Sequence, residues 1–346
     1  MKNYNDFLHI IRGKNILYIP IISCINRDTG EYNLSADGNV NRFITTFQKC
    51  PFYSKLKVVL PSKHIEGSES IINKFTRYNT FNSVIYSPNF GIHAGEQRNK
   101  DEVVDALFEE IKDLDFDICI FESQKLGLKM MDYRKDKEFI FWNPVSKTKT
   151  KTRIFLEGYD EINSKIIDRV NYMIIASPDQ AEFYNYVDNK LVYLDILIDR
   201  NLYFFEYKKD KEILNKFKNE KRKIFYLPFR LSDEGYKFDK VLEYLEKEKD
   251  DFIVLYSDPN NSHIVDKGVN SIFDKFIKVS SNRDTYYTIL DYIKCTILYF
   301  EDLEFINHAA IHEFMNSKSI CDVILYNQTK NPYNVKSCNR IKILYD

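Results

Sequence analysis

The sequence predicts an α/β protein built as two halves, each a parallel sheet covered by helices on both faces. Three observations predict it. Short, continuously apolar segments of strand length recur along the chain, helix-compatible segments alternate with them, and the alternation breaks once in a charged stretch before starting again. Strands buried on both faces read as unbroken apolar runs, and such runs separated by amphipathic helices imply parallel pairing. A chain of 346 residues exceeds the usual size of one hydrophobic core, and 44% hydrophobic with 15% aromatic residues suffice to fill two.

The runs of the first half are NILYIPIIS (15–23), KLKVVLPS (55–62), SVIYSPNF (83–90), FDICIFES (116–123), EFIFWNP (138–144), YMIIASP (172–178) and LVYLDI (191–196). Between the third and fourth lies EVVDALFEEIKDL (102–114), whose apolar residues recur at helical spacing. The second half opens on the strand-like KIFYLPF (223–229), followed by the helix-like YKFDKVLEYLEKEK (236–249) and the strands FIVLYSD (252–258) and FIKVSS (276–281). It continues with the helix TYYTILDYIK (285–294), the strand CTILYF (295–300), the helix FINHAAIHEFMNSKSI (305–320) and the strand DVILYN (322–327). The expected domains are 1–196 and 223–346, joined by a link at 197–222, and no sequence repeat relates them.

Composition narrows the partners. Fifty basic against fifty-one acidic side chains leave a formal charge of -1. Contact with nucleic acid would therefore depend on a local basic patch, since there is no global field. The six cysteines lack CxxC spacing, which argues against zinc and a disulfide framework and for a reducing compartment. The first residues, MKNYNDFLHIIRGKN, lack the apolar core of a signal peptide, and no apolar run approaches the roughly 18 to 20 residues of a membrane span. The expectation is a soluble, monomeric, cytoplasmic protein without a membrane partner.

In doubly wound sheets, ligands sit outside the carboxyl ends of the strands, so chemistry is sought just after each apolar run. Two such domains facing one another form a cleft between their carboxyl edges. In the second half, FRLSDEGYK places Arg230 after a strand and Lys237 at a helix start, an arrangement suited to a diphosphate or, equally, to ordinary surface charge. No GxGxxG or GxxxxGK[ST] is present. The loop Val279, Ser280, Ser281, Asn282 suits main-chain contacts to a nucleobase, although Ser and Asn also cap helices. His308 and His312 share a helix face, but HAAIH lacks the glutamate of HExxH and no third ligand is evident. Glu313, in the same helix, suits the two hydroxyls of a ribose, with His308 by the phosphates.

The order strand, FRLS, basic helix start, strand, Ser/Asn loop, apolar strand and HEFMNS resembles the donor-binding half of GT-B glycosyltransferases. It is most similar to the bacteriophage DNA glucosyltransferases that modify hydroxymethylcytosine. In that family an arginine after the first strand of this domain holds the donor diphosphate, and a glutamate in a WETMAS-like helix binds the donor ribose. The resemblance assigns these roles to Arg230 and Glu313. It further implies two Rossmann-like domains facing a central cleft and a UDP-sugar donor carrying glucose or a pentose such as arabinose. The implied acceptor is the hydroxyl of a modified cytosine in double-stranded DNA, with the host cytoplasm as location if the chain is phage-encoded. Two positions depart from the pattern. Ala310 stands where the family has a second phosphate-binding arginine, and the family's strand-end aspartate base falls near Asn143, an amide that cannot take a proton. No DxD follows a strand, so a divalent metal is optional rather than required.

The first half should then hold the acceptor and the general base. Candidates after its strands are Asp37 in CINRDTGEYNLSADGNVNRF, His93 and Glu96 in SPNFGIHAGEQRNK, and Glu122 in FESQ. Asp37 comes first because the loop after the first strand of such a domain reaches the cleft; its alternative role is a helix N-cap. Lys147, Lys149, Lys151 and Arg153 alternate with threonines in NPVSKTKTKTR (143–153). They match a phosphate backbone or, more blandly, a solvated loop. Reaching a base inside a duplex would require flipping it out. A glycan or small-molecule acceptor, and a non-catalytic nucleotide-binding protein, are the alternatives.

Overall fold

The computed structural model describes residues 1–20, 55–62, 83–89, 100–143, 159–175, 185–194, 208–228, 231, 237–258, 265, 271–300, 314, 322–326 and 341–344. The chain divides into two compact units, with the described residues up to Leu194 in the first and those from Lys208 in the second.

The first unit starts with α1 (Tyr4–Ile11), whose N-cap Asn3 and third residue Asp6 exchange side-chain to backbone bonds in a capping box. Its strands are β1 (Asn15–Ile19), β2 (Lys55–Pro61), β3 (Ser83–Ser87), β4 (Ile118–Phe121), β5 (Glu138–Asn143), β6 (Tyr172–Ile175) and β7 (Leu191–Tyr193). The helices α2 (Asp101–Ile111), α3 (Gln124–Tyr133) and α4 (Tyr159–Arg169) come between strands. All seven strands are parallel, in the order β3-β2-β1-β4-β5-β6-β7.

The second unit repeats the plan without repeating the sequence. The short helix α5 (Lys211–Phe217) leads into β8 (Lys223–Leu227), α6 (Phe238–Glu246), β9 (Phe252–Tyr256), β10 (Phe276–Lys278), α7 (Arg283–Tyr292), β11 (Thr296–Phe300), β12 (Asp322–Tyr326) and β13 (Ile341–Leu344). Its six strands are also parallel, ordered β10-β9-β8-β11-β12-β13. Counted from its own first strand, each sheet follows the 3-2-1-4-5-6 order of the Rossmann fold, and the first unit adds one strand. The order reverses between β1 and β4, and again between β8 and β11. These are the two topological switch points.

Each apolar run of the sequence forms a strand, because a central strand buried on both faces needs apolar side chains throughout. In β1 and β4, Leu17, Tyr18, Ile118 and Ile120 are fully buried, as are Phe225, Leu227, Ile297 and Leu298 in β8 and β11. Removing each such side chain from water stabilises the fold by about 1.5 to 3 kcal/mol before cavity effects. The helices α3, α4 and α5 are less visible in the sequence, since each buries only a few residues. In α5 these are Ile213 and Phe217, which belong to the second core. The helix lies inside the stretch read as a link and is stitched to α7. Asp210 caps it by accepting from the Ile213 N–H at 3.1 Å, accepts from the Thr285 hydroxyl at 2.5 Å and donates its own N–H to Thr288 Oγ1 at 2.9 Å.

The helices α2 and α3 meet along a row of exposed polar pairs, including Lys125 with Asp101 at 2.8 Å and the Tyr133 hydroxyl donating to Asp113 at 2.8 Å. Such pairs contribute little. The closer fit is below them, where Gly127 of α3 lies against the ring of Phe121, itself stacked on Phe141 with centroids 5.4 Å apart. A methyl group at position 127 would overlap the Phe121 ring. Alanine gains about 1 kcal/mol of helix propensity over glycine, but overpacking a filled core costs about 1 to 3 kcal/mol. Gly127→Ala is therefore expected to lower the unfolding free energy by about 1 to 2 kcal/mol in urea denaturation; a more stable variant would contradict the packing described.

Candidate functional site

In each unit the buried polar groups gather mainly where strands end. Ser62 follows β2, Ser87 closes β3, Glu122 follows β4, and Ser257 and Asp258 follow β9; all are buried. Thr285, Thr288 and Asp291 on α7 are the other large group. Polar side chains at carboxyl ends line the crevice in which doubly wound sheets bind ligands.

At the switch point of the second unit, the backbone N–H of Lys237 donates to the carbonyl of Phe300, the last residue of β11, at 3.1 Å. This bond seats the start of α6 on the carboxyl edge of the sheet. Lys237 is the N-cap residue, is half-buried, and makes no side-chain cap bond to the helix. The first-turn amides thus receive no cap from that side chain, and the helix end carries a partial positive charge beside a lysine. Leu231, buried in the second core, anchors the chain shortly after β8.

The loop after β10 is tied inward. The N–H of Val279 donates to Tyr256 O at 2.9 Å, and Val279 is buried. The Asn282 N–H donates to Ser280 Oγ at 3.2 Å, while Asn282 Oδ1 accepts from the Thr285 N–H at 2.8 Å and caps α7. Any contact of Val279 with a base falls to its carbonyl, because its amide is committed to β9. The Asn282 side chain acts as a helix cap, the simpler of its two sequence readings.

Of the helix expected at 305–320, Phe314 is described. It is helical, 1% exposed, and meets the Tyr299 ring of β11 edge-on with centroids 5.6 Å apart. Glu313 and His308 lie outside the described residues, as do Arg230, Asp37, His93, Glu96, Lys147, Lys149, Lys151 and Arg153. The structure therefore places Lys237, Val279, Ser280 and Asn282 at the carboxyl edge of the second sheet.

At the switch point of the first unit stands a group that sequence reasoning noted only in passing. Glu122, directly after β4, is 3% exposed and accepts a hydrogen bond from the hydroxyl of Tyr18 on β1, which is fully buried. The Glu122 N–H donates to Ile19 O at 3.2 Å. Tyr18 pairs with Ile120 in the register, so Tyr18 and Glu122 share one face of the sheet. On β5 the Trp142 ring lies 6.4 Å from the Tyr18 ring, centroid to centroid. Among the described residues, Glu122 is the buried carboxylate of this unit. Its sequence signal was a carboxylate immediately after an apolar run, a signal shared by many surface residues.

Other chemistries find little support among the described residues. No cluster of three or more His, Cys, Asp or Glu is placed to hold a metal ion, and no helix is long and apolar enough to cross a membrane. The thiols of Cys119 and Cys295 are free and buried, and burial pushes the Cys119 thiol far up, away from the reactive thiolate.

No protein-family model and no curated protein matches the sequence. Solved structures do match. Sucrose-phosphate synthase from Thermosynechococcus elongatus superposes with a TM-score of 0.58 at 11% identity, over 90% of this chain and 81% of the other. Alr3699/HepE from Anabaena, in complex with UDP and glucose, gives 0.57 at 10% identity, over 90% and 80%. The lipopolysaccharide outer core galactosyltransferase WaaB gives 0.53 at 12% identity, also over 90% and 80%. These neighbours are GT-B glycosyltransferases, and the likeness shows the fold: this chain has two Rossmann-like units of the GT-B type.

The double role expected of Asn282 can be separated by mutation. As a cap, Asn282→Ala should cost about 1 kcal/mol of stability, and Asn282→Asp close to none, because both Asn and Asp cap well. Equal losses in both variants by thermal denaturation would rule out capping as the main role of this side chain.

Proposed function

We propose that the protein is a glycosyltransferase that moves a sugar from a UDP-sugar to a hydroxyl. The observation that carries this reading is the seating of the α6 N-terminus, with Lys237 at its cap, on the carboxyl edge of β11 at the switch point of the second sheet. Nucleoside diphosphates suit such helix ends. HepE, of the same fold, is known in complex with UDP and glucose.

In this reading Arg230 and Lys237 neutralise the diphosphate, with His308 beside it where the family's second arginine is replaced by Ala310. The loop of Val279, Ser280 and Asn282 meets the base of the nucleotide through backbone groups, and Glu313 accepts the ribose hydroxyls. The burial of Phe314 against Tyr299 supports an anchored helix at this point of the chain. The first unit takes the acceptor, with Asp37, His93 and Glu96 as proposed bases. A divalent ion is optional.

Two acceptors fit this site. Modified cytosine in phage DNA is favoured by the motif resemblance and by Lys147, Lys149, Lys151 and Arg153, whose charges suit phosphates. A glycan or small molecule is equally consistent with neighbours such as WaaB, which is described as acting on lipopolysaccharide.

Thermal unfolding with UDP, UMP, GDP and NAD tests the donor. A ligand that binds only the folded state stabilises it by about 2.7 kcal/mol at a hundredfold excess over its Kd. UDP should raise the midpoint selectively, and Glu313→Ala should lose most of that shift while unfolding normally without ligand. No shift with any nucleotide removes the proposal. Replacing Lys147, Lys149 and Lys151 by alanine then separates the acceptors: a large, salt-dependent loss of transfer to DNA is expected for the first, and unchanged transfer for the second.

A further inference from the structure

We propose that Glu122, held by the hydroxyl of Tyr18, takes the acceptor's proton in this chain. The inference rests on the glycosyltransferase reading and deepens it by placing the base among the described residues. Four observations carry it.

The first is position. Glu122 follows β4 directly, at the switch point where ligands bind in a doubly wound sheet. The second is register. Phe121 pairs with Phe141, so Glu122 lies level with Trp142 and one residue short of Asn143 on the neighbouring strand. Asn143 is the position to which the resemblance assigns the family's base, and its amide cannot accept a proton. A carboxylate one strand over supplies what that position has lost.

The third observation is burial. At 3% exposure Glu122 is shielded from bulk water that would compete for its hydrogen bonds. A carboxylate buried at a strand end, rather than at the surface, is costly unless its environment is built for it. The fourth is that environment: the Tyr18 hydroxyl donates to Glu122 Oε1, from the same sheet face and from a side chain that is itself fully buried. An ionised carboxylate accepts about four hydrogen bonds, and Tyr18 occupies one of these positions. Tyr18 is thus a positioning residue. It fixes the carboxylate plane, as the third member of a nucleophile, base and orienter set does elsewhere.

The step balances without a further reactant. The acceptor O–H gives its proton to the Glu122 carboxylate as its oxygen forms a bond to the anomeric carbon of the donor. The bond from that carbon to the diphosphate oxygen breaks, and its electron pair leaves with UDP. The charge that develops on the diphosphate falls to Lys237, Arg230 and the first turn of α6.

Water serves as the acceptor in the test, so that the natural acceptor need not be known. UDP release from UDP-glucose, UDP-galactose and UDP-N-acetylglucosamine is measured for the native protein, Glu122→Gln, Glu122→Ala and Tyr18→Phe, with UDP binding and thermal unfolding recorded for each. Loss of a general base lowers rates by about 10² to 10⁴-fold, so Glu122→Gln is expected to lose at least about a hundredfold in kcat while binding UDP normally. Formate should restore part of the rate to Glu122→Ala by supplying a carboxylate. Tyr18→Phe should lower kcat by roughly tenfold with donor KM unchanged, the mark of an interaction used in the transition state rather than in binding.

Release by Glu122→Gln within about threefold of native overturns the inference and leaves the donor site standing. So does a native protein that binds UDP but releases none from any of the three donors. If the native protein binds no UDP, the glycosyltransferase reading fails and this inference with it.

Discussion

Parallel pairing at the centre of each sheet is the constraint on which the rest of the structure depends. A parallel neighbour cannot be reached by a tight turn, so each strand must be followed by a crossover, and the direction of the crossovers reverses once per sheet. In the first unit the reversal falls between β1 and β4, held by pairs from Ile16 with Ile118 to Ile19 with Phe121. In the second it falls between β8 and β11, held by Phe225 with Thr296 and Tyr226 with Ile297. Connections diverge on either side of these pairs, and chain is drawn away from the carboxyl edge there. That edge is where Glu122 and Lys237 stand.

The cores keep those positions fixed. The ring of Phe121, the residue before Glu122, lies between the backbone of α3 at Gly127 and the ring of Phe141. In the second unit the residues beside the α6 start are equally enclosed, with Phe300 1% and Phe238 9% exposed. Both candidate groups are therefore single residues attached to the end of a rigid strand or helix, which is how precise placement is achieved without a long supporting loop. Polar groups enter each interior mainly at this one edge, and their burial is matched by hydrogen bonds such as Tyr18 to Glu122 and Ser257 N–H to Leu227 O at 3.2 Å.

Much of the fold was legible because a strand covered on both faces has no choice of composition. Runs such as FDICIFES and CTILYF could be read as strands from hydropathy alone, and their order with EVVDALFEEIKDL and YKFDKVLEYLEKEK implied the two parallel sheets. Helices such as α3 and α5 were harder to read because they cover a sheet from one side: QKLGLKMMDY carries as much polar as apolar surface, and its key residue, Gly127, is defined by a close approach that spacing does not encode. The three-residue strand β10 shows the same limit from the other side, since most of FIKVSS becomes the loop that caps α7. The site was legible only as types of residue at strand ends. Lys237 was visible because a lysine at a helix start has an electrostatic meaning that does not depend on tertiary structure. Glu122 was visible as FESQ, but its value depends on burial and on Tyr18, 104 residues away in sequence, and no local pattern reports either. Asn282 had two meanings in the sequence, and the hydrogen bond to Thr285 shows the cap.

The measurement that bears most directly on the central claim is amide hydrogen exchange with and without UDP. Binding at the switch point of the second sheet predicts slowed exchange at the start of α6, from Lys237 through Asp239, and in the loop from Val279 to Asn282, with little change in the first unit. Slowed exchange confined to the first unit, or no change anywhere in the presence of saturating UDP, would contradict the account.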